Sequence, residues 1–316
     1  MTASQQHSDS QVNGDSQETG NSQAIETMIL QDETNLAGLI RQIENCSSDL
    51  IGITKSSEMT KWDLPAGVSD CQWLPQVRNS FADFVYHELG GQIASVWLPL
   101  ADEGLIIAAR ESWLSVLKKC ESWQEALVTM SWENVSPQSS LNIDWSASQS
   151  FLPVLEPQGD RISNSATRQV LQQAERWLPE SLNRKSPDFQ AVLAGFYQWY
   201  DALHMSHEFS QAVQYTGRNK AGDYWHAIMH RREGDYSNAK YWFRNVGSHP
   251  LYPTLKKAVE NLAEQSALNL PDWSPEKFVD LCSRAEPGSD HEKYARRVQA
   301  LEMVLLMRHT FDDATL

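Results

Sequence analysis

The feature that most constrains this chain is the punctuation of its second half. Ser186-Pro187 and Ser274-Pro275 each place a capping hydroxyl before a proline whose fixed φ suits the first helical turn, and Ser289 with Glu292 spells a capping box. Apolar residues between these starts recur at helical spacing. Phe189, Val192, Leu193, Phe196, Tyr200 and Leu203 draw one stripe, Trp225, Ile228 and Met229 a second, and Tyr236, Ala239, Phe243 and Val246 a third. Short connectors make such helices antiparallel neighbours. The expected fold is all-α, built of antiparallel helical hairpins or a bundle, and helical-repeat-like in its C-terminal part.

The first half is written differently. Residues 1–24 are Gln, Ser, Asn, Asp and Gly with almost nothing apolar, so they read as a disordered acidic tail. Residues 25–133 read as an N-terminal acidic, mostly helical region. Leu36, Leu39, Ile40 and Ile43 mark a short helix; Ile106, Ala109, Trp113, Leu117 and Cys120 mark a longer one, and the Ser122/Glu125 capping box opens its partner in an αα-hairpin. The segment from Trp73 to Trp97 fits a helix or a strand. Residues 134–164, rich in Ser, Asn, Pro and Gly, read as a linker or surface excursion, and residues 165–316 as the C-terminal helical domain.

Charge removes whole classes of function. With 41 acidic against 26 basic residues the chain carries a formal net charge of -15, which opposes a general attraction to nucleic acid or to anionic membrane. The acidity is uneven: residues 1–155 hold 20 acidic and 7 basic groups. No apolar run approaches the roughly 20 residues that span a bilayer, and residues 1–24 have neither a basic nor an apolar leader segment, so the cytoplasm is the expected location. Cys46, Cys71, Cys120 and Cys282 lie far apart and are expected as reduced thiols.

Five of the nine histidines fall between residues 204 and 249. Asp201, His204 and His207 read D-x-x-H-x-x-H, and Asp223, His226 and His230 read D-x-x-H-x-x-x-H. At ~100° per residue, each set falls on one helix face. Two such helices side by side would offer a divalent cation, zinc or iron, the ligands His207, His226, His230 and Asp223, with Glu208 or Glu233 as general base. The same residues also read as punctuation. His230, Arg231 and Arg232 suit the last turn of a helix, Gly234 the left-handed position after it, and Asp235 the next cap. A third reading gathers Arg231, Arg232, Arg244 and His249 into a pocket for a small anionic ligand, with Glu233 and Asp235 as internal neutralisers that would close it. Tyr224, Trp225, Tyr241 and Trp242 read as core rather than as a stacking surface.

No dinucleotide-binding glycine motif, Walker A loop, nucleophile elbow or EF-hand loop occurs. The segments SHEFSQAVQ (206–214) and YWHAIMHRREGDYSNAKYWFRNVGSHP (224–250) resemble an uncharacterised bacterial, planctomycete-like protein family over about residues 185–255. That family implies kinship and no reaction. Gly234-Asp235-Tyr236 with Ala239, Phe243 and Pro250 also resembles the second half of a tetratricopeptide-type hairpin. The sequence therefore points to a helical binding or scaffold module whose partner is a protein or a small anion, and its alternative is a metal-dependent enzyme built on the histidine cluster. No cofactor is demanded by motif; the divalent metal belongs to the alternative.

Overall fold

The capping hydroxyls act where the sequence places them. The computed structural model describes residues 25–29, 35–54, 72–75, 104–129, 133–134, 152–160, 171–262 and 273–316, together with Phe81, Phe84, Val85, His87–Gly90, Ala94, Trp145 and Arg168. The tail reading of residues 1–24 lies outside the described residues. The described residues are mostly helical, and no described helix is long and apolar enough to cross a membrane.

In the N-terminal part, β1 (Ile25–Ile29), α1 (Leu36–Glu44), β2 (Leu50–Thr54), β3 (Gln72–Pro75), β4 (Gly104–Ala109), α2 (Arg110–Leu117), α3 (Trp123–Thr129) and β5 (Glu133–Asn134) follow one another. The strands form one sheet in the order β1-β2-β4-β3-β5. β2 and β4 pair antiparallel, with Ile53 opposite Ile106 and Ile51 opposite Ala108, all buried. The αα-hairpin expected from Ile106 onward is present as α2 and α3, with the Ser122 hydroxyl accepting from the Glu125 N–H at 3.1 Å, but its first helix is shorter than the spacing implied and the region also holds a sheet that the spacing did not show. Ile106 and Ala109 belong to β4, and the helix starts only at Arg110. A short apolar run such as Leu105-Ile106-Ile107 satisfies helical spacing and a buried strand equally, and β-branched residues tip it toward the strand. The Trp113 indole N–H donates to the Ile51 carbonyl at 3.1 Å and ties α2 to the sheet.

The second half contains α4 (Ala174–Trp177), α5 (Pro187–Trp199), α6 (Leu203–Gln211), a 3-10 turn (Arg218–Lys220), α7 (Ala221–Arg232), α8 (Tyr236–Val246), α9 (Tyr252–Glu260), α10 (Pro275–Cys282) and α11 (Asp290–Ala314). Ser186 accepts from the Phe189 N–H, Ser274 from Lys277 and Ser289 from Glu292, so each expected cap is made. α7 packs against α5, α6, α8 and α11, and every residue from Ala221 to Arg232 is buried. Gly195 lets α5 approach: a Cβ there would sit 2.6 Å from the Met307 Cε and 2.7 Å from the Trp225 Cζ2.

Part of the 134–164 segment is packed structure, which corrects its reading as a linker or surface excursion. Leu152 and Leu155 are buried, and the carbonyls of Leu152, Pro153 and Val154 accept from Arg296, Gln299 and Arg232 of the helical part. Prolines and glycines hide such a segment from periodicity, because it is held through its backbone rather than through a stripe.

Candidate functional site

A helix buried on all sides must be apolar throughout or find internal partners for its polar groups. α7 takes the second course, since Asp223, His226, His230, Arg231 and Arg232 all point into protein. Its C-terminus explains part of this. Gly234 has φ +84°, the Asp235 N–H donates to the His230 carbonyl at 3.0 Å, and the Gly234 N–H donates to the Arg231 carbonyl at 3.4 Å. That is a Schellman turn. Asp235 then caps α8 by accepting from the Asn238 N–H at 3.1 Å, and this bond holds its carboxyl below the usual range. The punctuation reading of HRREGD is therefore correct in its backbone.

The two arginines do not form a pocket. The Arg231 guanidinium donates to Glu302 at 2.6 Å and lies 4.5 Å above the Phe278 ring centroid. Arg232 pairs with Asp201, and its other N–H groups reach the Gln198 carbonyl at 2.5 Å and the Val154 carbonyl at 2.8 and 3.1 Å. Arg244 lies apart, exposed and paired with Glu276 at 2.8 Å. His249 is buried and accepts through Nδ1 from the Leu251 N–H at 3.1 Å. The anion-pocket reading of Arg231, Arg232, Arg244 and His249 is thus corrected. The chain's own carboxylates, and not the expected Glu233 and Asp235, neutralise the guanidiniums.

The histidines converge. His226 and His230 stand one turn apart on α7, and α6 brings His207 against them. One ligand atom from each lies within 4.8 Å of the others. The α6–α7 connection sets this approach with left-handed backbone at Tyr215, Gly217, Asn219 and Lys220. Asp188 holds it by accepting from the Arg218 N–H at 2.9 Å, and Asp223 by accepting from the Tyr215 N–H at 3.0 Å. Asp223 therefore anchors a loop and is no member of the histidine group, which removes it from the expected ligand set. Burial pushes its carboxyl up. His204 is exposed, 3.8 Å from Glu208, so the D-x-x-H-x-x-H set is divided among three environments.

Within the cluster, the Nε2 atoms of His226 and His230 are 3.0 Å apart. The Nδ1 of His230 lies 2.5 Å from the Glu233 carboxylate, and Asn238 brings its side-chain amide to 3.0 Å from the His230 Nε2. Trp242 of α8 stacks on His226 with ring centroids 4.3 Å apart. Burial, with His230 and His207 alongside, pushes His226 down to about 3, and burial lowers His207 as well. Neutral imidazole at physiological pH is the form that ligates metals. A carboxylate on the far nitrogen is the usual support of a metal-bound histidine. Glu233 is thereby engaged as an orienting partner, and Glu208 is exposed.

Sequence reasoning missed Asn238, Glu302 and Asp201 as partners. Asn238 is neutral and belongs to no ligand motif, and Glu302 lies 71 residues from Arg231. Among the described residues, Cys120 and Cys282 are free thiols. Comparison with protein-family models, curated proteins and solved structures returned no match.

Proposed function

We propose that the helical half of the chain is a binding module for a divalent transition-metal ion, zinc first and iron second, with His207, His226 and His230 as its ligands. One observation carries the reading: three imidazole ligand atoms on two packed helices lie within 4.8 Å of one another. The Glu233 contact to His230 supports it, because it commits the proton to Nδ1 and leaves Nε2 as a lone-pair donor. Imidazole suits zinc and iron, with Zn–N bonds of about 2.0–2.1 Å. Ligands on one tetrahedral ion at that distance stand about 3.3 Å apart. The His226–His230 spacing, 3.0 Å between Nε2 atoms, is already near it, and His207 has a ligand atom within 4.8 Å of both.

The test is equilibrium dialysis of metal-stripped protein against zinc. The parent is expected to retain one zinc per chain and His226→Phe, which keeps a ring on Trp242, none. Equal retention by both would reject the site. The metal-dependent enzyme stands as the second reading, favoured by the ligand count: three protein ligands are what catalytic zinc sites carry, with water in the fourth position. Glu208 would then be the base, since Glu233 is committed to His230. Zinc-dependent hydrolysis that Glu208→Gln abolishes without releasing zinc would establish it.

A further inference from the structure

Two aromatic side chains beside the histidine cluster have no part in the metal reading. Tyr215 and Tyr241 are the exposed aromatic rings among the described residues, at 56% and 46%. Tyr215 has φ +60°, where a bulky side chain is penalised, and its N–H donates to Asp223 at 3.0 Å, which holds it there. Strain of this kind persists where the surroundings enforce it, and it gathers at functional sites. Here it positions a phenol. The hydroxyls of Tyr215 and Tyr241 lie 3.2 Å apart, and both rings rest on Trp242, each with centroids 5.4 Å from it. Trp242 in turn stacks on His226 at 4.3 Å, and His226 on His230 at 4.6 Å. Aromatic rings therefore run without a gap from the surface to two of the proposed ligands.

Tyrosine and tryptophan lose one electron reversibly, and rings in van der Waals contact pass it on quickly; a phenylalanine or a leucine in the same place does not. We propose that Tyr215, Tyr241 and Trp242 form a path along which one electron passes between an iron ion at the histidine site and a one-electron carrier at the surface. This rests on the metal reading above in its iron form, since zinc has no redox chemistry. In the outward direction the oxidised carrier takes one electron from a surface phenol, whose proton passes to water. Trp242 gives its electron to the phenol, which regains a proton, and ferrous ion gives its own to Trp242 and becomes ferric. The net change is one electron from iron to carrier, and the rings end as they began.

The test uses the full chain loaded with ferrous ion, with the zinc-loaded chain as a redox-silent control. Photogenerated tris(bipyridine)ruthenium(III) is the oxidant, and the tyrosyl radical is followed by its visible absorption. The radical is expected to vanish faster in the ferrous form by about tenfold or more, as iron turns ferric. Trp242→Phe keeps a ring on His226 but cannot carry the electron, and it is expected to retain iron and lose that acceleration. The exposed pair Tyr215→Phe and Tyr241→Phe, which serves if the Trp242 variant misfolds, is expected to retain iron and oxidise it more slowly by about tenfold or more. Equal radical lifetimes in the two forms, or variants as fast as the parent, would overturn the path and leave the three-histidine site intact. A wild type that holds zinc but no ferrous ion would do the same. One that holds neither would overturn both.

Discussion

The two polar faces of α7 are buried to the same degree and completed in opposite ways. On one face Arg231 and Arg232 meet Glu302 and Asp201, so the fold supplies the counter-charges itself. On the other, His226 and His230 turn ring nitrogens toward each other, toward His207 and toward a neutral amide. A guanidinium is always charged and cannot stay buried without an anion. An imidazole can stay buried by being neutral, which leaves it a lone pair. One face is thus closed by the chain's own chemistry, and the other has donor atoms to give.

The largest test of this contrast removes the anions. Glu302→Leu or Asp201→Leu would leave a guanidinium buried without its carboxylate and is expected to destabilise the chain by about 3–5 kcal/mol in urea unfolding. A change under 1 kcal/mol would mean that the arginine face is held by its carbonyl and ring contacts instead.

Next is the turn that sets both faces in place. Gly234→Ala puts a Cβ at φ +84°, where the nearest described atom is 3.9 Å away, so the penalty is conformational rather than steric. About 1–2 kcal/mol is expected. A variant as stable as its parent would remove the Schellman turn from the account.

A third test lies in the acid response. Burial, with His309 nearby, pushes His249 down to about 3 from its ordinary 6.5, so between those values the unfolded chain binds a proton that the folded chain refuses. Stability therefore falls as pH drops from about 6.5 toward 3, by up to about 1.4 kcal/mol per pH unit for each such histidine. Asp188 and Asp223, raised by burial, act the other way at the acid end, so the slope is read above about pH 5. His249→Asn keeps an acceptor for the Leu251 N–H and is expected to flatten the slope. An unchanged slope would show that His249 is not among the groups that set it.

What the sequence disclosed follows from range. Ser186, Ser274, Ser289, Gly234 and Asp235 act on residues within a few positions, and all were legible. The helical spacing of His226 and His230 was legible for the same reason. Their meeting with His207 is not fixed by spacing, because helix faces but not helix neighbours can be read from it. The partners of Arg231 and Arg232 lie 31 to 78 residues away and leave no local mark. The sheet was hidden because β2 and β4 are short apolar runs whose pairing spans more than fifty positions, as between Ile53 and Ile106. Asn238 was invisible as a neighbour of His230, since an amide is a common surface residue until its neighbours are known.

The most direct test of the central claim is a melting experiment on metal-stripped protein with and without zinc. At a free zinc concentration one hundred times the dissociation constant, the account predicts that wild type gains about 2.7 kcal/mol, that chelator reverses the gain, and that His226→Phe gains nothing. A wild-type melting curve that zinc does not move, or one that zinc moves equally in His226→Phe, would contradict it.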